Sequence, residues 1–428
     1  MKLHTVLPAL IALIALASGA PRSRAANTIP AELDGTMMPY HFFRGDSVAE
    51  YPDSLRPFHI EYVGRHGARY LSSAKKTKNL ITVLSNGEKD KILTAEGRRF
   101  LALLREVERV SEGKWGRLSA LGEEEQERLG ALMARRWPTI FQGQGQTGEV
   151  AAVASYVPRV VKSMYSFLEA LEESNPRLET SAESGRRFSP LMRFFDVDID
   201  YRDWLNPVKL DDDGSGWNEP LTTFEADHLP TAPASRLFKV GRAPGEGPAM
   251  QKLSMQMYGV LQGLSAFGME RRGREFMSQA EYRACWECDN LDHYLKRSLS
   301  ALSTLPVQAA IPLLIDIVQK ADEAESGLKT PLANLRFGHA ETVIPLAALM
   351  KLPGAEALPD DYTKLADEWK DWEVSPLAAY IELCLACTQA GETYARVSLN
   401  GRPMQIEDAI WIPWKRLRAY WLHRASSF

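Results

Sequence analysis

The sequence contains little cysteine, little histidine and no marked excess of charge of either sign. Only four of its 428 residues are cysteine and eight are histidine, which excludes a cysteine-rich disulfide framework and a metal-storage protein. Lysine plus arginine number 51 against 55 for aspartate plus glutamate, and this balance does not indicate a nucleic-acid binder. With 45% hydrophobic residues the composition is that of a globular protein. Its chemistry must therefore depend on a few positions.

Long hydrophobic runs are also missing, because no apolar stretch reaches the roughly 20 residues of a membrane-spanning helix. The longest run, residues 6–17, follows Lys2 and precedes small residues, a layout typical of a secretory signal. We expect cleavage near Ala25 or Ala26 and a periplasmic or secreted protein without a membrane anchor. Loss of residues 1–26 lowers the formal net charge from −4 to −7.

Three apolar segments have the patterns of strands, and each is followed by a polar turn and then by a helical apolar pattern. These segments are residues 58–63, 150–154 and 333–338. Pro158 opens the second helix, and the third is predicted from Val343 to Leu352. The polar residues at the three turns are Arg65, His66, Arg69, Arg159, His339 and Glu341.

This recurrence predicts an α/β protein with a doubly wound sheet, in which ligands bind beyond the carboxyl ends of parallel strands. If the three strands are neighbours, their turns form one pocket. Three arginines in a pocket are typical of a phosphate site, since guanidinium groups match phosphoryl oxygens. Their charge discourages protonation of His66, which leaves its imidazole free as a nucleophile, and Glu341 is placed to protonate a leaving alcohol.

Two motifs carry a family resemblance. The string Arg65-His66-Gly67-Ala68-Arg69 resembles the RHGxR signature of the histidine phosphatase superfamily, in its acid phosphatase and phytase branch. His339-Ala340-Glu341 is similar to the HAE-type motif of the multiple inositol polyphosphate phosphatase subgroup, where related phytases carry His-Asp. Residues 191–196 and 122–126 resemble further family segments, so that the likeness spans about residues 55–400.

The resemblance implies a phosphomonoesterase that forms a phosphohistidine at His66, with Glu341 as proton donor and no cofactor or metal. It also implies a small polyanionic substrate, inositol hexakisphosphate or lower inositol polyphosphates. The residues implied to bind the transferred phosphate are Arg65, Arg69, Arg159 and His339. The alternatives are a broad-specificity acid or sugar phosphatase and, in another class, an exported phosphate-ligand binding protein, which would need the arginines but not both His66 and Glu341.

Several of these cations have a second interpretation. Arg159 is alternatively a surface cation in a first helical turn, where the helix dipole opposes it unless an anion is present. Arg193 either reaches a second substrate phosphate or forms an ion pair with Asp196 or Asp198. Lys75, with two nearby lysines, either attracts the polyanion or belongs to a solvated helix face.

The other histidines are predicted to have no chemistry. His59 lies seven residues before His66, an odd number, so its side chain is expected to point to the other face of the strand and to be packed. The remaining candidates are interpreted as structural or surface residues: His41, His228, His293 and His423.

Three motifs are rejected on physical grounds. Residues 143–148 match G-x-G-x-x-G but follow a helix and precede a strand, so a loop and no nucleotide site are expected. Residues 211–216 resemble the start of a calcium loop but lack the Glu at its twelfth position. The pairs Cys285/Cys288 and Cys384/Cys387 are interpreted as free thiols or one disulfide of open pairing, in preference to zinc.

The domain organisation follows from where the pocket residues lie in the chain. Because the pocket draws strands from both ends, residues 27–175 and 305–428 are predicted to form a discontinuous α/β core. Residues 176–304 are predicted to form a mostly helical cap, and Asn400-Gly401 predicts a hairpin that supplies antiparallel edge strands. The oligomeric state is left open.

Overall fold

The computed structural model describes residues 29–40, 51–142, 147–206, 216–269 and 272–428. Within these ranges eight strands form one sheet. The strands are β1 Arg56–Arg65, β2 Gly148–Ala154, β3 Leu178–Ser184, β4 Ala333–Gly338, β5 Tyr380–Cys387, β6 Thr393–Leu399, β7 Arg402–Pro403 and β8 Ile412–Pro413.

Eighteen α-helices surround the sheet in the described part of the chain. They are α1 Lys75–Lys89, α2 Ala95–Ser111, α3 Ala120–Arg136, α4 Pro138–Phe141, α5 Pro158–Ser174, α6 Ser189–Met192, α7 Phe194–Val197, α8 Ile199–Leu205, α9 Asn218–His228, α10 Ala232–Ser235, α11 Pro248–Leu261, α12 Gln279–Arg297, α13 Leu305–Ala309, α14 Ile311–Glu325, α15 Ala340–Leu349, α16 Leu365–Glu368, α17 Asp371–Val374 and α18 Trp414–Ser426.

Some predictions concern residues that the structure does not describe. The expected secretory signal, His41, most of the glycine-rich segment 143–148 and most of the segment 211–216 lie outside the described residues. Those interpretations stay predictions. Among the described residues no helix is long and apolar enough to cross a membrane.

The sheet brings the three predicted strands together. Its order is β3-β2-β4-β1-β5-β6-β7, with β8 paired to β6. The strands β3, β2, β4 and β1 run parallel, while β5 to β8 pair antiparallel. In register, Arg65 at the end of β1 lies opposite Gly338, and Ala154 at the end of β2 lies opposite Phe337. The carboxyl ends of β1, β2 and β4 therefore meet at one end of the sheet, as predicted.

Both faces of the sheet are packed, which confirms the α/β fold class. Along β5, Ile381 and Leu383 join one apolar cluster, while Tyr380 and Cys384 join another. The first cluster includes residues of α14, α15 and α18, and the second includes residues of α3, α4 and α5. A sheet covered by helices on both sides buries its central strands completely, and all six residues of β4 are buried.

A buried polar network lies behind the site on β1 and β4. Glu61 accepts hydrogen bonds from Arg336 and, at 2.7 Å, from Asn334. His59, only 1% exposed, contacts Glu61 through Nε2 at 2.7 Å and the carbonyl of Pro331 through Nδ1 at 3.0 Å. The prediction that His59 is a packed structural histidine is confirmed.

The third junction differs slightly from its prediction. The helix α15 begins at Ala340, three residues before the predicted start, because His339 is extended and already serves as its N-cap. It ends at Leu349 instead of Leu352, and Lys351 has a left-handed φ of 55° that no α-helix accommodates. The early start places Glu341 in the first turn of α15.

The hairpin near the C-terminus is confirmed. Asn400 and Gly401 connect β6 to β7 with φ angles of 52° and 79°, the positive values that a type I′ turn requires. The Asn400 side chain also accepts a hydrogen bond from the backbone N–H of Tyr380 at 2.9 Å, which ties the turn to β5.

The division into core and cap stays a prediction, but two features bear on its boundaries. The sheet continues beyond residue 175, because β3 is its edge strand and ends only at Ser184. The helices α1 and α2 pack on each other and α1 packs on α11. We propose that the cap begins after Ser184 and that α1 belongs to its surface.

All four cysteines lie within the described residues and carry free thiols. Cys285 and Cys288 are buried on α12, and Cys384 is buried on β5 while Cys387 at the strand end is partly exposed. This agrees with the interpretation of the cysteines as free thiols.

Candidate active site

A cavity of about 460 Å³ lies where β1 ends and where α5 and α15 begin, and α11 and α12 form its opposite wall. Six of the eight predicted site residues line it: Arg65, His66, Arg69, Lys75, Arg159 and Glu341. The residues that line it from α11, from the position after α11 and from α12 are Gly259, Gln262, Asp289, His293 and Arg297. The other two predicted residues, His339 and Arg193, contact each other beside the cavity.

His66 is buried directly after β1, with 2% of its surface exposed. Its Nδ1 lies 2.9 Å from the backbone carbonyl of Gly67. Because a carbonyl only accepts, Nδ1 carries the proton and the lone pair of the neutral ring is on Nε2. Burial and then the charges of Arg159, Arg65 and Arg69 hold the pKa of His66 well below its usual 6.5. The prediction that this ring stays unprotonated agrees with its surroundings.

The turn that carries His66 is packed against the start of α3 through two glycines. A Cβ atom on Gly67 would lie 2.2 Å from the carbonyl oxygen of Gly122, and one on Gly122 would lie 2.1 Å from that of Ala68. Both distances are far below any van der Waals contact. Glycine at both positions therefore lets the turn approach the helix backbone closely.

Two side chains of α3 hold the same turn by hydrogen bonds. Glu125 accepts from the backbone N–H groups of Tyr40 and Ala68, both at 2.6 Å, and burial raises its pKa to about 7. Gln126 donates to the carbonyl of Arg65 at 3.1 Å. The segment 122–126, which resembles a family helix in the sequence, is the support of the His66 turn.

Each of the three arginines has a buried guanidinium nitrogen without a hydrogen-bond partner among the described residues. Arg65 donates through Nη1 to the carbonyls of Thr36 at 2.7 Å and Ser375 at 2.6 Å. The Nε atoms of Arg65, Arg69 and Arg159 are buried without a partner among the described residues. Burial, then mutual repulsion, lowers the pKa of Arg65 to about 10 and that of Arg69 to about 9. An anion would relieve both penalties. Arg159 lines the cavity, so it is not the surface cation of the alternative interpretation.

His339 lies next to His66, with the two ring centroids 5.7 Å apart. Its Nε2 is 3.0 Å from both the Ser155 hydroxyl and Nη1 of Arg193. Since a guanidinium only donates, Nε2 must be unprotonated. Burial lowers the pKa of His339 to about 3. The charge of Glu341 opposes this shift, and the charges of Arg159 and Arg193 add to it.

Arg193 forms one of the ion pairs that the sequence allowed. Its Nε donates to Asp196 at 2.7 Å, and its guanidinium lies 4.8 Å from the ring centroid of Phe195. The side chain is outside the cavity lining and contacts His339 instead. Its role in binding a substrate phosphate stays a prediction.

Glu341 lies in the first turn of α15, and 31% of its side chain is exposed. Nη2 of Arg297 approaches its Oε1 to 3.4 Å. Burial would raise the pKa of Glu341, but the charges of Arg297, His339 and Arg65 outweigh it and hold the pKa well below its usual value. Glu341 among these cations is therefore a carboxylate.

A row of residues on α12 also lines the cavity, and no motif in the sequence had indicated it. Asp289, His293 and Arg297 follow one another at intervals of four and all line the cavity. Residues four apart share a helix face, and this charged stripe was the available signal. His293 lines the cavity, and its Nδ1 lies 2.8 Å from the buried carboxylate of Asp371, so its interpretation as a structural or surface residue stays a prediction.

Known proteins were compared with the chain. Residues 59–220 match the model of the histidine phosphatase superfamily (branch 2). Human multiple inositol polyphosphate phosphatase 1 is 23% identical over 316 residues, which are 69% of this chain and 62% of the human protein. The aligned region thus spans less than two thirds of that relative.

Solved structures share the fold. The multiple inositol polyphosphate phosphatase of Bifidobacterium longum, in complex with inositol hexasulfate, matches with a TM-score of 0.76 at 17% identity, over 91% of this chain and 97% of that one. The phytase from D. castellii matches with a TM-score of 0.69 at 17% identity, over 92% and 85%.

The sheet places the His66 turn and the three arginines around one cavity, the arrangement that the sequence predicted for a phosphate site. The resemblance noted in the sequence is confirmed by the match of residues 59–220 to the histidine phosphatase superfamily, branch 2. Within it, the matching relatives are multiple inositol polyphosphate phosphatases and phytases, which supports the subgroup that His339-Ala340-Glu341 indicated.

Proposed function

We propose that this protein is a phosphoric monoester hydrolase that removes phosphate from inositol hexakisphosphate and lower inositol polyphosphates through a phosphohistidine at His66. One observation carries the proposal. Nδ1 of His66 donates its proton to the Gly67 carbonyl, so the lone pair is on Nε2. Three arginines with unpartnered nitrogens line the same cavity as this ring.

In the first step Nε2 of His66 attacks phosphorus and the bond from phosphorus to the ester oxygen breaks. Arg65, Arg69 and Arg159 bind the phosphoryl oxygens, where charge is spread in the transition state. Glu341 transfers its proton to the departing oxygen, so that the remaining inositol phosphate leaves with a neutral hydroxyl group. The products of this step are the alcohol and a phosphorylated imidazole.

In the second step water attacks the same phosphorus and the bond from nitrogen to phosphorus breaks. The Glu341 carboxylate accepts the proton of the water, and inorganic phosphate is released. His66 returns to its starting form, with its proton still directed to the carbonyl of Gly67. One carboxyl group thus serves as acid and then as base.

Glu341 must be protonated before the first step, although the surrounding cations favour its carboxylate form. The arginines and His339 lower its pKa by favouring the charged form. A bound phosphate dianion cancels much of this positive charge, so substrate binding raises the pKa of Glu341 towards its ordinary range. The proton is therefore taken up with the substrate.

The neutral state of His339 also fits this scheme. Because its Nε2 accepts from Arg193, its proton is on Nδ1, and this N–H is a donor for a phosphoryl oxygen. The ring would contribute a hydrogen bond without adding another full charge beside His66.

Two observations support a polyanionic substrate. The cavity wall holds further cations beyond the three arginines, namely Lys75, Lys76 and Arg297. The relatives are named for inositol polyphosphates or as phytases, and one of them is in complex with inositol hexasulfate. Local cations create a positive cleft in a protein whose net charge is negative.

The proposal is tested by a substrate panel. Wild-type protein is incubated with inositol hexakisphosphate, a sugar phosphate and p-nitrophenyl phosphate, and the inositol phosphates are separated by chromatography. Successive appearance of lower inositol phosphates at the highest kcat/KM supports the proposal. A higher kcat/KM for the sugar phosphate would favour the broad-specificity alternative, and binding without phosphate release would favour the binding protein.

We also propose that the protein is exported. The support is the apolar run at residues 6–17 after Lys2 and the small residues that follow it. N-terminal sequencing of the mature protein tests this, and a mature chain that begins at Met1 would contradict it.

A further inference from the structure

The cavity wall opposite His66 contains a histidine between two carboxylates. On α12, His293 places Nδ1 2.8 Å from Oδ2 of Asp371 and 4.0 Å from Oδ2 of Asp289. Asp371 is completely buried and is held by two other donors, the indole N–H of Trp286 at 3.0 Å and the backbone N–H of Thr36 at 3.2 Å. The imidazole is therefore oriented by a carboxylate that is itself fixed.

This arrangement leaves the other nitrogen of His293 for the cavity. Nδ1 donates to Asp371, and Nε2 has no hydrogen-bond partner among the described residues. Nε2 is not fully buried, and 14% of the His293 side chain is exposed. A group in the cavity is thus able to reach Nε2.

The charges around His293 favour its protonated form. Burial lowers its pKa, but Asp289 and Asp371 outweigh burial and the repulsion from Arg297, and the pKa of His293 is raised above 6.5. The charged groups that face it come from α12, from α17 and, near Asp289, from Lys76 on α1. His66 at the opposite wall and His339 beside it are held neutral instead.

We infer that protonated His293 is a second anion-binding residue, which donates from Nε2 to a phosphate of the substrate other than the one that His66 attacks. This inference rests on the proposed function and adds a specificity residue to it. Thr36 links the two anion sites, since its N–H binds Asp371 and its carbonyl binds Arg65. A substrate with several phosphates is then recognised at a fixed separation.

A divalent cation is the competing occupant, because ligand atoms of Asp289, His293 and Asp371 lie within 4.8 Å of one another. The observations favour the anion. Both oxygens of Asp371 already accept hydrogen bonds from nitrogen donors. Arg297 and Lys76 line the same cavity, and their positive charge opposes a cation there.

The test uses His293→Asn, because the amide nitrogen of asparagine occupies roughly the place of Nδ1 and keeps the bond to Asp371. The variant removes Nε2 and the positive charge. His228→Asn, at a histidine outside the cavity whose Nδ1 contacts the carbonyl of Phe224, is the matched control. KM and kcat are measured at pH 5 with inositol hexakisphosphate and with p-nitrophenyl phosphate.

We expect the KM of His293→Asn for inositol hexakisphosphate to rise about tenfold more than its KM for p-nitrophenyl phosphate, as for loss of a charge-assisted hydrogen bond. The ratio of wild-type to variant affinity should shrink as the pH is raised through the pKa of His293, which lies above 6.5, because wild-type His293 then loses its proton. Equal changes on both substrates, or a ratio independent of pH, would overturn the inference.

Two outcomes separate this inference from the proposed function. If wild type cleaves inositol hexakisphosphate and His293→Asn matches the control, the second anion site is wrong and the function stands. If wild type does not cleave it, both fail. Thermal unfolding with added Mg²⁺ or Ca²⁺ addresses the cation: stabilisation of wild type that is lost in His293→Asn would overturn the anion site.

Discussion

Arg297 on α12 approaches Glu341 on α15, with Nη2 3.4 Å from Oε1. This contact joins the cap wall of the cavity to the residue proposed to carry the proton. It also explains why the carboxylate form of Glu341 is favoured, since Arg297 is the largest of the influences that lower its pKa. Cap and core thus set the protonation of the site together.

Arg297→Gln should change the pH dependence of catalysis. Without this cation the pKa of Glu341 rises, so Glu341 remains protonated to higher pH. The basic limb of the kcat profile should shift upwards by about one pH unit. Arg283→Gln, an exposed arginine on the same helix, is the control and should leave the profile in place. An unchanged or acid-shifted limb in Arg297→Gln would contradict the proposed proton donor.

The effect of Glu341→Gln on the first step should depend on the leaving group of the substrate. On inositol hexakisphosphate we expect kcat to fall by about 10²- to 10⁴-fold, because a poor leaving group needs the acid. p-Nitrophenolate leaves without a proton, so this ester should give a stoichiometric burst followed by slow turnover. Stopped-flow absorbance measures the burst. Equal slowing of both substrates without a burst would argue against Glu341 as acid in the first step and base in the second. Glu323→Gln on α14 serves as the surface control.

Glu125→Gln should destabilise the protein and lower activity, since an amide offers only one oxygen to the two backbone N–H groups of Tyr40 and Ala68. One buried donor is left unpaired, which costs about 1–3 kcal/mol of unfolding free energy. Urea unfolding measures the loss. Glu124→Gln, at the exposed neighbouring position, should unfold at the wild-type midpoint. Identical midpoints for the two variants would contradict the proposed support of the His66 turn.

The pH dependence of this difference has a definite sign. Because the pKa of Glu125 is raised from 4.5 to about 7 in the folded protein, its contribution to stability is present below about pH 4.5 and is lost as the pH rises through about 7. The deficit of Glu125→Gln relative to wild type should therefore be larger at pH 5 than at pH 8. A deficit that grows with pH would show that the buried carboxylate is the favoured form.

The sequence was informative where the chemistry lies in contiguous motifs. Arg65, His66 and Arg69 occupy one turn, and His339 and Glu341 occupy another, so short strings and the strand-to-helix pattern predicted their convergence. The parallel neighbours β1, β2 and β4 followed from the same argument.

The cap wall could not be predicted in the same way. Asp371 is 78 residues from His293 in sequence, and nothing local indicates that the two side chains meet. Arg297 contacts Glu341 only because α12 packs over the end of the sheet. The helical interval of four from Asp289 to Arg297 predicts a shared face, but the identity of its partner depends on tertiary packing.

The most direct test of the account is to trap the covalent intermediate. Wild-type protein and His66→Ala are mixed with radiolabelled inositol hexakisphosphate, quenched within milliseconds in alkali, and digested for peptide mapping. For wild type we predict label on the peptide that contains His66, stable in alkali and lost in acid. For His66→Ala we predict no label, and a kcat that is lower by ~10³-fold or more. Absence of label during wild-type turnover, or label that persists in His66→Ala, would contradict the phosphohistidine mechanism.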